Sequence, residues 1–135
     1  MLLQGRADLA KHWTFSAALT SVLGSRAAGY LGEWKELKDS SPNGSGFSFV
    51  DLAADRAGVQ TALKALAPLT ATVTRASLGG ATDDYLLPKL LQEAPEGLSS
   101  ASFVDRFGSL DHKQYQKAVH HIDEVLASER PALSE

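Results

Sequence analysis

The residues able to carry chemistry gather between Asp8 and Asp55. His12 and Ser16 are four apart, so on a helix they share one face. Glu33, Glu36 and Asp39 recur every three residues, with Lys35 and Lys38 on their flanks. Asp51 and Asp55 form an i, i+4 pair of like charges. Such a pair costs about a few tenths of a kcal/mol in an isolated helix, so something should offset it. Candidates are a helix dipole for Asp51, Arg56 or Arg26 for Asp55, or a bound cation. Two chemistries can use this set. His12, Glu36 and Asp55 make an oxygen-rich ligand set with one imidazole, suited to a divalent metal. Alternatively, Glu36 serves as general acid with Asp39 or Asp51 as the second carboxylate and His12 assisting, the layout of glycoside hydrolysis. None of these spacings is a recognised ligand or catalytic motif.

Structural roles compete for each of these residues. His12, beside Trp13, reads equally as a hydrogen-bonded histidine at the edge of a core. Glu33, Glu36 and Asp39 read as a solvated helix face paired with Lys35 and Lys38. Ser48 and Asp51 fit the S-x-x-D pattern of a helix start, in which Ser48 accepts from the Asp51 amide. Asp55 is the hardest to assign to structure alone. Trp13 and Trp34 sit in apolar stripes and are expected in the core. Gly44-x-Gly46 lacks both the third glycine of a dinucleotide site and the lysine of a phosphate loop. His120 and His121 are adjacent, so they point to different helix faces and fail the spacing of a helical metal pair.

The elements needed to position these groups are helical. The chain has 135 residues, 44% of them hydrophobic, which suits one domain with a real core. Asp8 to Leu23 reads as a first helix capped by Asp8, with Leu9, Trp13, Phe15, Ala17, Leu19 and Val22 on its apolar arc. Gly24 ends it, and Ser25 to Asp39 follows as a second, with a stripe of Ala27, Leu31, Trp34 and Leu37. The short connection predicts a helical hairpin. Ser40 to Gly46 is a Gly-rich loop. A third helix runs from Phe49 to about Leu66, with Gly58 as an interior weak point. Residues 69–80 mix strand and helix signals and read as helix or extended connector. Thr82 and Asp83 cap a segment running toward Glu93 through Pro88, and a short turn surrounds Phe103, Val104 and Phe107. Asp111-x-x-Gln114 is a capping box for a last helix striped by Tyr115, Val119, Ile122, Val125 and Leu126, before Pro131. The expected fold is therefore all-α: one compact domain over 1–135, of five or six helices. Its motif region spans 8–58, its C-terminal helical part 82–130, and its core surrounds the first hairpin and the last helix.

Composition narrows the partners. The formal charge is −3, with seven basic against six acidic residues in 1–67 and six against ten thereafter, so neither half is a polybasic surface for nucleic acid. No cysteine is present, which removes disulfides, thiolate nucleophiles and Cys-based zinc sites. No apolar run reaches the length of a membrane span, and Arg6, Asp8 and Lys11 break any signal-peptide pattern at the start.

The run from His12 to Leu19, then Gly32 to Asp39, then Gly44 to Gly58 resembles small bacterial envelope proteins of the YfiM-like lipoprotein type, and more distantly VanZ-like membrane proteins. The match covers roughly residues 8–58, and its most distinctive part is Gly44 to Gly58. By position it singles out His12, Lys35, Glu36, Asp39, Ser48, Asp51 and Asp55. It implies a periplasmic or envelope-associated protein whose partner is an envelope component or another protein, and transfers no activity. VanZ-like members bury these segments in hydrophobic spans, whereas charges recur throughout this chain and its mean hydropathy is −0.12. Two functions follow as expectations: an envelope-associated binding or structural module with a His/Glu/Asp cluster, or a hydrolase of an envelope polymer such as peptidoglycan. In the module, Asp51 caps, Asp55 pairs with arginine, and Glu36 pairs with His12 or Lys35.

Overall fold

The computed structural model describes residues 1–130 and is all-α, so Pro131 and the last residues of the expected domain lie outside the described part. The helices are α1 (Ala7–Leu23), α2 (Ser25–Asp39), α3 (Phe49–Leu66), α4 (Ala71–Leu78), α5 (Asp83–Leu86), α6 (Ser100–Phe107) and α7 (Lys113–Ser128). A 3-10 helix at Lys89–Glu93 lies between α5 and α6. Pro88, which has no N–H to donate, separates α5 from that 3-10 helix. Residues 71–78 resolve to helix, and the region of Phe103 and Phe107 is a two-turn helix rather than a turn. Among the described residues, extended pairing is limited to two isolated bridges, Leu3 with Arg6 and Phe47 with Leu98.

α3 is the element around which the others assemble. Most of its first three turns is buried, and Phe49, Val50, Leu52, Ala53, Ala54 and Ala57 all enter the core. α7 contributes the five expected stripe residues, all buried. Phe47, Phe49, Phe103, Phe107 and Tyr115 form an aromatic cluster with centroid separations from 4.5 to 6.1 Å. The core is thus centred on α3 and α7, not on the N-terminal hairpin. Leu9 and Ala10 of α1 join it, while no residue of α2 does.

The hairpin departs from its apolar pattern. On α1, Phe15 and Val22 are exposed, while Ser16 and Thr20 are buried. On α2, the expected stripe of Leu31, Trp34 and Leu37 faces outward, and Ala28 and Glu36 are the buried residues. Trp34 is therefore not a core residue. Trp13 packs against the core and donates from its indole N–H to the Leu86 carbonyl at 3.1 Å. The faces turned inward are those able to satisfy polar partners at the site, and that requirement overrides the apolar count.

Capping follows local chemistry in part. Ser48 accepts from the Asp51 amide at 3.0 Å, as its spacing predicts. Asp8 lies inside the first turn of α1, held by Arg6 at 2.6 Å, with Arg6 itself at the cap position. The cap of α7 is His112, whose Nδ1 accepts from the Gln114 amide at 3.2 Å, so Asp111 falls outside the helix. Near the C-terminal end of α7, buried Arg130 donates to the carbonyls of Tyr85 and Leu86 and to the Thr61 hydroxyl, tying α5 to α3.

Gly58 explains how α1 and α3 come close. A Cβ at this position would be driven into the backbone carbonyl of Trp13. That atom belongs to a helix and cannot swing aside, so Gly58→Ala is expected to destabilise the fold by about 2–3 kcal/mol or abolish folding. Gly29 has open space around its would-be Cβ, and Gly29→Ala should instead add up to about 1 kcal/mol. Urea unfolding of the two variants checks both signs.

Candidate functional site

The site grows from Asp55, a buried carboxylate on the inner face of α3. Ser16 of α1 donates its hydroxyl to Asp55 Oδ1 at 2.7 Å. His12, one turn earlier on the same face, places Nδ1 at 3.2 Å from both oxygens of Asp55. α2 completes the enclosure at Gly32, where a Cβ would lie 3.0 Å from Asp55 Oδ2. Asp55 does not pair with an arginine. Arg56 instead grips Asp123 of α7 with two hydrogen bonds of 2.7 and 2.6 Å.

With Nδ1 occupied by Asp55, the second ring nitrogen of His12 faces two more carboxylates. His12 Nε2 lies 3.5 Å from Asp51 Oδ2 and 4.0 Å from Glu36 Oε1, both beyond hydrogen-bond length. Glu36 is wholly buried. Its Oε2 accepts from the Ser48 amide at 3.0 Å, so the residue that caps α3 also anchors α2. Among the described residues its Oε1 has no hydrogen-bond partner, and neither does Asp51 Oδ1. Lys35 Nζ stands 3.6 Å from Glu36 Oε1 but is held by Asp39 at 2.6 Å. Arg6 lies 3.7 Å from Asp51 and is more tightly engaged with Asp8 and Glu96.

These surroundings shift the proton affinities together. Burial is the main influence on Glu36 and raises its carboxyl to about 7. The Ser48 amide works against that rise, Asp51 reinforces it, and Lys35 and His12 oppose it. Burial also raises Asp51, with the His12 charge as the largest opposing influence. For His12, burial disfavours the imidazolium, yet its contacts with Asp55 and the charge of Asp51 prevail and its pKa lies above the ordinary value.

The structure therefore brings His12, Glu36, Asp51 and Asp55 together, with Ser16 and Ser48 holding them and Lys35 at the edge. His12 Nε2, one oxygen of Glu36 and one of Asp51 lie within 4.8 Å of one another. Asp55 sits on the opposite side of the imidazole, as the group that orients it. Asp39 lies outside this cluster, paired with Lys35. Glu33 leaves the solvated face foreseen for it and accepts from the buried Tyr115 hydroxyl at 2.9 Å. Lys38 rests over the Trp34 ring at 5.5 Å. His120 pairs with Glu124 at 3.2 Å on the exposed face of α7. Sequence spacing overlooked Arg6; its separation of two from Asp8 was the available signal.

Beside the cluster, a cleft of about 330 Å³ opens between α1 and α2, reaching His12, Asp55 and Lys35. Such a volume is at the low end for small-molecule sites.

A buried acid with a raised pKa makes folding depend on pH. Between 4.5 and about 7 the folded protein keeps a proton on Glu36 that the unfolded chain releases, so stability falls as pH rises through that window. Raised values for Asp51 and His12 give the same sign. Each proton difference contributes a slope of up to about 1.4 kcal/mol per pH unit. Glu36→Gln should flatten this decline in EDTA-treated protein. Urea unfolding at intervals from pH 4.5 to 8 measures it, and an unchanged slope in the variant would rule out Glu36 as a source. Comparison with family models, curated proteins and solved structures gives no match to this chain.

Proposed function

We propose that this domain is an envelope-associated binding module that takes a divalent cation through His12 Nε2, Glu36 Oε1 and Asp51 Oδ2. The observation that carries this reading is the wholly buried Glu36 Oε1, which has no hydrogen-bond partner among the described residues and faces His12 Nε2, itself without a hydrogen bond among them. An acidic surplus alone is ordinary; a buried acceptor left without a donor is costly and asks for a partner. Bonds of about 2.0–2.2 Å to a common ion place neighbouring ligand atoms roughly 3–4 Å apart, close to the separations of 3.5 and 4.0 Å from His12 Nε2. One imidazole with two carboxylates suits zinc or manganese better than a soft, sulfur-seeking metal.

Asp55 then has the role of the outer carboxylate that accepts from a metal-bound histidine and fixes its tautomer. Lys35 competes for Glu36 Oε1, but it is half-exposed and already tied to Asp39, so an entering cation can displace it outward. Placement at the envelope rests on the resemblance of residues 8–58 to envelope proteins. Hydrolysis of an envelope polymer is the second reading. The carboxyl of Glu36 near pH 7 favours it, with Asp51 nearer than Asp39 to the partner's place.

Manganese binding followed by electron paramagnetic resonance, and zinc binding by calorimetry, test the proposal. Wild-type protein should bind one ion. Glu36→Gln and Asp51→Asn should each abolish binding, Asp55→Asn should weaken it about 10–100-fold, and Asp39→Asn should leave it within twofold. Failure of wild-type protein to bind either ion, or equal binding by Glu36→Gln, overturns the cation reading.

A further inference from the structure

The cleft between α1 and α2 is graded along its length. Asp8, Lys11, His12, Lys35 and Asp55 are among the residues at its polar part, and Phe15, Leu19, Ala28 and Leu31 line its apolar part. Because Gly24 alone joins the two helices, the later turns of α1 and the earlier turns of α2 flank the hairpin bend. The apolar part therefore lies toward the bend and the charged part toward the other end. From Lys11 to Leu19 a helix rises about 12 Å, the reach of a medium-length aliphatic chain.

The charges at the polar end are unequally engaged. Asp8 is held by Arg6 at 2.6 Å, and Asp55 by Ser16 and His12. Lys35 is partly neutralised by Asp39. Lys11 is exposed and has no carboxylate within ion-pair distance among the described residues. The uncommitted charge at this end is thus the ammonium of Lys11, beside an open groove of apolar side chains.

We infer that this cleft binds a single-chain anionic amphiphile, with its alkyl chain between Phe15, Leu19, Ala28 and Leu31 and its anionic head at Lys11 and Lys35. Both halves of the ligand are matched: the apolar walls gain by excluding water, and the ammonium groups select the sign of the head. This goes beyond the cation site: of its three ligands only His12 also borders the cleft, and neither carboxylate, Glu36 nor Asp51, lines it. The occupant comes from a lipid rather than from free phosphate, because the head-binding lysines alone form no enclosed anion site.

Calorimetric titration of the full chain with decyl phosphate, below its micelle concentration and with EDTA present, tests this directly. One molecule should bind per chain. Inorganic phosphate and decyltrimethylammonium should each bind at least tenfold more weakly, which separates the head and tail contributions. Lys11→Glu and Leu31→Glu alter exposed positions, and each should weaken decyl phosphate at least tenfold with the melting temperature little changed. Asp51→Asn, which removes a carboxylate that neither lines the cleft nor pairs with either lysine, should leave it within threefold, so loss of the cation site and loss of this cleft are distinguishable. No binding by wild-type protein, equal binding of the cationic amphiphile, or binding of several molecules insensitive to both variants would overturn the inference.

Discussion

Asp55 is buried where α1, α2 and α3 meet, and the need to satisfy its carboxylate dictates how these helices are turned toward one another. Removing Asp55 from water is unfavourable unless its oxygens find donors, and the desolvation cost can exceed the attraction of any single partner. Here Ser16 and His12 supply those donors from one face of α1, and Gly32 supplies the space on α2. That demand fixes the rotation of α1: the face it presents to α3 is the one carrying His12, Ser16 and Thr20. Phe15 and Val22 are turned outward as a consequence. Gly58, one turn beyond Asp55, lets the two backbones approach closely enough for the contacts to form.

The same logic extends to Glu36. Burying it requires the Ser48 amide, and Ser48 is available because it begins α3 with a non-helical backbone. One residue therefore caps a helix, through its side chain, and anchors a buried acid, through its N–H. The Gly-rich loop exists to bring Ser48 into this position, and Gly44 must lack a side chain because a Cβ would collide with the Asp39 carbonyl. What remains after these requirements are met is an asymmetric charge balance. His12 has one nitrogen satisfied and one turned toward two acids, and each of those acids has an oxygen without a hydrogen bond. The cluster thus keeps unsatisfied polar groups in a small buried volume, a departure from local consistency of the kind expected at functional sites.

Much of this was legible in the sequence, and the part that was not has a physical cause. Helix bounds followed from Gly24, the Gly-rich loop and the Ser48 cap, because those signals act within a few residues. The stripe of α7 was equally plain, since every one of its positions packs against the core. The apolar count held for Leu9 and Trp13 of α1 but failed for Phe15, Val22 and the stripe of α2, because a buried acid and a serine outrank Leu31 or Phe15 once Asp55 needs partners. His12 and Asp55 are 43 residues apart, and pairing them needs knowledge of how α1 and α3 cross, which no local spacing encodes. For the same reason the exchange of Asp51 for Asp55 on the Nε2 side of the ring was not foreseeable: i and i+4 residues share a face, and only the depth of each distinguishes them.

The proposed cation site depends on Asp55 committing Nδ1 of His12 and leaving Nε2 for the ion. Nitrogen-15 NMR of the His12 ring, in metal-free protein above its pKa and then with cadmium added in place of zinc, tests this most directly. The expected result is a neutral ring protonated at Nδ1, and a cadmium coupling that appears at Nε2 with the Nδ1 proton retained. A ring protonated at Nε2, or one whose two nitrogens are unmoved by the metal, would contradict it.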